Sequence, residues 1–305
     1  MGLRHVLRLA LPAVLSAAFL TGVSAPAQAA APVSSFASTV GGDPADVYYP
    51  AGISERTPVA LMLQGAQVGR AHYSSYARAV AAHGFIVVVP DHRRLLFFDD
   101  DFYPEQKQAA EAVAWMKAED DRNGSPLEDR VKTTRLVLLG HSFGGAAGLS
   151  VVGEKCVFPF CTGLTYTMPT QVKAASLFGT NNKDFLTGAF ADVDLQVPTQ
   201  LVQGVQDGVA LPADAETTYT KLKNDPKQIV RVSGANHYGI TNAQNPAGAD
   251  PETGPQTLTQ AQSIEVTARW AAKFLLAAMG DEAAEDYVWN TGDAADPNVT
   301  VTGDN

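Results

Sequence analysis

Leu138-Leu139-Gly140-His141-Ser142-Phe143-Gly144-Gly145-Ala146-Ala147-Gly148 decides how this chain is read. An apolar run at 135–139 reads as a buried strand, and the small-residue run at 144–152 reads as a helix. Between them lies a G-x-S-x-G sequence. So tight a strand-to-helix turn strains the backbone at Ser142, and glycines at 140 and 144 let the chain reverse without collision. Ser142 Oγ is then presented at the carboxyl end of a sheet, over a helix N-terminus that favours negative charge.

The flanking sequence repeats this alternation. Apolar runs at 59–63, 85–89, 174–178, 199–203 and 228–232 read as further strands. Helical patterns occupy 73–83, 105–119, 214–223 and 257–279, the first stopped by Gly84. The segment 36–49 adds one or two antiparallel strands at the start. Strands buried on both faces and separated by helices imply an α/β fold: a mainly parallel central sheet with helices on both faces.

A serine hydroxyl needs a general base, and the base needs an orienting acid. On such a sheet the chain order is Ser, then Asp or Glu, then His. His237, in Gly234-Ala235-Asn236-His237-Tyr238-Gly239, is the only histidine after Ser142. The acid is read as Asp207, in Gly204-Val205-Gln206-Asp207-Gly208 at the end of the 199–203 strand. Its rivals are Asp192 and Asp194, which precede that strand, and Asp214, which reads as a helix cap. An oxyanion hole needs two backbone N–H groups. Phe143 N–H supplies one. The other comes from Gln64-Gly65-Ala66-Gln67, with Ala66 the candidate and Gln67 the alternative.

These motifs resemble the α/β-hydrolase superfamily. Pro58-Val59-Ala60-Leu61-Met62-Leu63-Gln64-Gly65 and Ala82-His83-Gly84-Phe85-Ile86-Val87-Val88-Val89-Pro90 are similar to its chlorophyllase-like and polyester-hydrolase-like branch, over residues 42–279. The resemblance implies a serine esterase that cleaves carboxylic esters through an acyl-enzyme, with no metal or other cofactor. Gln64 departs from the pattern, standing where many members have His before the oxyanion glycine. Ser142 sets the chain apart from dienelactone-hydrolase relatives, which use a Cys nucleophile. Two other readings are an amidase or peptidase on the same triad, and a non-catalytic binding module of the same fold.

Residues 1–29 read as a signal peptide. Arg4 and Arg8 form a positive n-region, 9–23 an apolar stretch, and Ala27-Gln28-Ala29 a cleavage site. The apolar run is short for a membrane anchor, at roughly 15 residues against about 20 needed, and Pro12 interrupts it. No later segment is apolar enough to span a bilayer, so the expectation is an exported protein, periplasmic or secreted. Cys156-Val157-Phe158-Pro159-Phe160-Cys161 holds both cysteines, and export makes a structural disulfide plausible.

The chain has 305 residues, 46% hydrophobic and 18% charged, with a net charge of −10, which suits a globular protein and excludes collagen-like or disulfide-dense classes. The acid excess argues against a nucleic-acid partner. Residues 30–280 form one catalytic domain. Seven of the 32 acids lie in 281–305, which holds no Lys or Arg and reads as a poorly ordered acidic tail. The partner is a small or polymeric ester. Gln67, Phe97, Phe98, Phe158 and Tyr238 are its candidate pocket residues, with buried loop anchors as the competing reading for the apolar loops. Asp99, Asp100 and Asp101 read as solvated loop charge. Oligomeric state is not readable.

Overall fold

The computed structural model describes Gly2 and residues 31–305, so the expected signal peptide lies almost wholly outside the described residues. The elements run β1 (Val33–Val40), β2 (Asp43–Pro50), β3 (Thr57–Leu63), α1 (Ser74–Ala81), β4 (Ile86–Pro90), β5 (Arg93–Leu96), β6 (Asp99–Phe102), α2 (Gln108–Asp120), β7 (Val131–His141), α3 (Phe143–Val152) and β8 (Val172–Phe178). Then come β9 (Val193–Asp194), β10 (Thr199–Gly204), α4 (Pro212–Lys221), β11 (Leu222–Lys223), β12 (Lys227–Val232), α5 (Gln260–Ala277), α6 (Glu282–Asp286), α7 (Gly292–Ala295) and β13 (Val299–Asp304).

Nine strands form one sheet in the order β1-β2-β4-β3-β7-β8-β10-β12-β13. The six from β4 to β12 are parallel. The hairpin β1–β2 joins β4 antiparallel. Period-2 geometry splits each central strand between two cores. Ala60, Met62, Val87, Val89, Val137 and Leu139 face α1 and α5, packing against Tyr76, Val80, Trp270 and Phe274. Val59, Leu61, Ile86, Val88, Leu136 and Leu138 face the opposite helices, meeting Met116, Leu149 and Ala215. Burying each large apolar side chain contributes about 1.5–3 kcal/mol, so the sheet forms a rigid platform whose carboxyl edge carries the loops.

Several boundaries shift for local reasons. The helix expected from 257 starts at Gln260, because Thr259 and Gln262 close a reciprocal capping box. Asp214 is not a cap: Leu211 holds that place, Pro212 begins the helix, and Asp214 instead pairs with Lys183 at 2.6 Å. The 281–305 segment is not a loose tail. Asp281 caps α6 through Ala284 N–H at 2.8 Å. Asp296 accepts from Trp270 Nε1 at 3.1 Å and pairs with Arg269 at 2.8 Å. Tyr287 and Trp289 pack on Trp270 and Phe274, and β13 adds to β12 antiparallel. Asp281 thus serves as a cap and Asp296 and Asp304 as ion-pair partners, and the segment's apolar residues close the sheet edge.

Candidate active site

Ser142 sits between β7 and α3 with φ 53° and ψ −118°. That left-handed region is costly for a residue with a Cβ, at about 1–3 kcal/mol. The turn is held from both sides: Ser142 N–H donates to Phe178 O at 2.9 Å, and Thr180 Oγ1 donates to Ser142 O at 2.8 Å. A Cβ on Gly140 would lie 2.8 Å from Gly144 O, and one on Gly144 would collide with the Leu63 carbonyl. The two glycines are therefore needed for close approach, and the second brings α3 against the end of β3.

Asp207 follows β10 and is buried. Its Oδ2 accepts from His237 Nδ1 at 2.8 Å. Its Oδ1 accepts the N–H groups of Val209 and Ala210 at 2.9 and 2.7 Å. A carboxylate only accepts, so His237 Nδ1 carries the proton and Nε2 is left as the basic nitrogen. The rival acids lie elsewhere. Asp192 pairs with Lys221 and Lys223, Asp194 belongs to β9 and is exposed, and Asp214 holds Lys183.

Ser142 and His237 line one small cavity of about 30 Å³, together with Gly65, Ala66, Gln67 and Tyr238. Gln67 N–H is already donated to Phe102 O at 2.9 Å. Among the described residues, Ala66 N–H and Phe143 N–H make no hydrogen bond, so these two are free to meet an anion. Gln64 is buried, and its Oε1 accepts His92 N–H at 3.1 Å. It thus pins the end of β3 to the end of β4, a structural use for the departure at this position. His92 itself is buried between Asp43 and Glu105.

The sequence reading passed over three features of this region. His141 is fully buried, and its Nε2–H donates to the carbonyl of His237 at 2.9 Å. Its Nδ1 accepts from Tyr73 OH at 2.9 Å, and that hydroxyl accepts Gly65 N–H at 2.8 Å. Burial, and then the neighbouring His237, push the His141 pKa well below its ordinary value, so the ring stays neutral and keeps this donor pattern. Gly179, with φ +57°, packs directly on the hydrogen-bonded Asp207–His237 pair. A Cβ there would lie 3.0 Å from Asp207 Oδ2 and 3.1 Å from His237 Nδ1. Glu252 accepts the His237 N–H at 2.7 Å.

Beside Ser142 opens a cleft of about 390 Å³, walled by Phe143, Phe158, Phe160, Phe185 and Val209. The Cys156–Cys161 disulfide is formed; closing so short a loop contributes about 2 kcal/mol in a chain-entropy account and ties down Phe158 and Phe160. Of the candidate pocket residues, Phe158 lines this cleft, while Gln67 and Tyr238 line the smaller cavity. Phe97 stacks on Phe185, with centroids 4.8 Å apart and planes at 11°. Phe98 is not a wall residue: the β5–β6 hairpin turns at Phe97 and Phe98, both at positive φ, and leaves Phe98 fully exposed. Phe185 carries no motif and lies in an irregular loop. Asp99 is not free solvated charge. It accepts from Gln67 Nε2 at 3.0 Å and Tyr103 OH at 2.7 Å; burial, and then that bond, push the Tyr103 hydroxyl up to about 12.

Among the described residues, no helix is long and apolar enough to cross a membrane. No curated protein matches the chain. A family model described as PETase, PET hydrolase-like, matches residues 12–250. That match spans more than half of the chain and includes the elbow, the acid turn and the base turn, so the chain belongs to the PET hydrolase-like family, a branch of carboxylic ester hydrolases on the α/β-hydrolase fold.

Proposed function

We propose that the chain hydrolyses carboxylic esters through an acyl-enzyme on Ser142, with His237 as base and Asp207 as its orienting acid. One observation carries this reading. The basic nitrogen of His237, fixed by the 2.8 Å bond from Nδ1 to Asp207, shares a cavity with Ser142 and the free N–H of Ala66. Ser142 Oγ adds to the ester carbonyl while His237 Nε2 takes its proton. The oxyanion so formed is met by the N–H groups of Ala66 and Phe143. Its collapse breaks the ester C–O bond, and His237 returns the proton to the departing alkoxide. Water, deprotonated by the same nitrogen, then adds to the acyl-enzyme and releases the acid and free Ser142.

The aromatic cleft suits an apolar or aromatic part of the ester, small or polymeric. Export as a cleaved precursor belongs to the same proposal. It is supported by the leader pattern of residues 1–29 and by a disulfide suited to an oxidising compartment.

The test is Ser142→Ala on p-nitrophenyl esters of graded chain length, with fluorophosphonate labelling of the unchanged protein. Hydrolysis should disappear in the folded variant, and the label should fall on Ser142. Retained turnover, or labelling at another serine, rejects the assignment.

A further inference from the structure

His237 is held through its backbone as well as its ring. Its N–H donates to Glu252 Oε2 at 2.7 Å, and its carbonyl accepts from His141 Nε2 at 2.9 Å. The other oxygen of Glu252, Oε1, accepts Gly208 N–H at 2.8 Å and Gly254 N–H at 2.6 Å. Gly208 is the residue directly after Asp207. A single carboxylate therefore binds the base and the turn that carries the acid.

The surrounding chain is built for this contact. Backbone bonds join the two turns as far as Gln206, whose N–H reaches Ala235 O at 3.0 Å. Beyond that point side chains make the link. Glu252 N–H donates to Asn245 Oδ1 at 2.6 Å, which fixes the stem of the side chain. A Cβ on Gly208 would lie 2.6 Å from Glu252 Oε1, and one on Gly254 would strike the Gln206 carbonyl. Only glycines allow the segment bearing Glu252 to lie so close to the acid turn.

We infer that Glu252 is a positioning residue: by accepting the N–H groups of Gly208 and His237 together, it sets the geometry of the Asp207–His237 hydrogen bond. This rests on the Ser142–His237–Asp207 reading above. The role suits a carboxylate, since hydrogen bonds to an ionised acceptor are shorter and roughly twice as strong as neutral ones. A glutamine here keeps one accepting oxygen and replaces the other with an NH₂, which cannot accept an N–H. It must therefore release either the acid turn or the base.

The experiment compares the unchanged protein with Glu252→Gln, Glu252→Ala and Ser142→Ala. Hydrolysis of p-nitrophenyl butyrate is expressed per active site titrated to endpoint with fluorophosphonate, so that loss of folded protein does not count as loss of turnover. Glu252 does not line the aromatic cleft. The kcat of Glu252→Gln should therefore fall roughly ten- to a hundredfold, as expected of a misplacement near 1 Å, and KM should stay within about twofold. The downfield proton resonance of His237 Nδ1–H bonded to Asp207 should broaden or vanish. An unchanged kcat per titrated site, with that resonance kept, overturns the positioning role while leaving the triad intact. A loss confined to KM or to the titratable fraction does the same. Hydrolysis retained by Ser142→Ala overturns both readings.

Discussion

The two halves of the site, the small cavity beside His237 and the aromatic cleft, are built in opposite ways. On one side Asp207, His237, His141 and Gly179 are buried, and apart from the basic Nε2 of His237 the polar side-chain atoms are engaged by named partners. On the other side Phe97, Phe158 and Phe185 are each about half exposed, with Phe97 packed on both of the others and Phe185 edge-on to Phe143. Directional bonds in a water-poor setting fix atoms to fractions of an ångström, which proton transfer needs. Aromatic faces in a half-open groove fix little, yet they offer area to an apolar ligand at small entropic cost. The first side should therefore govern kcat and the second KM.

On the proposed mechanism, Asp207→Asn is the most severe change short of removing the Ser142 hydroxyl. The amide presents a donor to Nδ1, which favours the wrong His237 tautomer, and kcat should drop by about 10⁴ with the fold retained. Steady-state kinetics with a thermal melt checks this; a loss below tenfold would mean that Asp207 does not orient the base. Gly179→Ala comes next. Its methyl would enter at 3.0–3.1 Å from both partners of the pair, on a backbone with φ +57°, and should lower kcat by about 10² through displacement alone. On the other side, Phe185→Ala removes a stacked neighbour of Phe97 worth about 0.5–1.5 kcal/mol. KM for an aromatic ester should rise up to roughly tenfold, with kcat close to unchanged. If kcat fell instead, the aromatic wall would be shaping the reacting geometry and the division of labour would fail.

The same contrast explains what could be read before folding. The elbow was visible because a strained turn admits few residues: Gly140 and Gly144 flank Ser142 at the spacing that the turn requires. His237 was visible by scarcity, being the only histidine downstream, and Asp207 by its place at a strand end. The sheet was visible because strands buried on both faces leave unbroken apolar runs. Glu252, Gly179 and Phe185 were not visible. Each lies in irregular chain, and each acts through contacts with residues distant in sequence, which no periodicity records. The 281–305 segment misled for a related reason. Its acids dominated the composition, and they hid the alternation Val299-Thr300-Val301-Thr302 and the paired aromatics Tyr287 and Trp289, which bind it to β12 and α5.

The smallest expected effect concerns acid. His141 is neutral in the folded chain because burial, and then His237, hold its pKa well below the ordinary 6.5. The unfolded chain binds a proton at His141 as pH falls through about 6.5, and the folded chain does not. The unfolded state thus holds more protons below that pH, so the stability linked to His141 is complete above it and declines as pH drops, by at most about 1.4 kcal/mol per pH unit. His141→Gln keeps an N–H donor for the His237 carbonyl and has no proton to gain. It should be less stable than the unchanged protein at pH 7.5 by about 1–2 kcal/mol, and the gap should shrink by about 2 kcal/mol at pH 5 and so close. Urea denaturation at both pH values measures this. Phe158→Ala is the control from the aromatic side, and its stability difference should not depend on pH. A His141→Gln gap that stays constant would mean that the native ring takes up a proton between pH 7.5 and 5 as readily as the unfolded chain does, and is protonated at pH 5. The link from Tyr73 through His141 to His237 would then have to run with both ring nitrogens donating, against the acceptor role that Tyr73 OH requires of Nδ1.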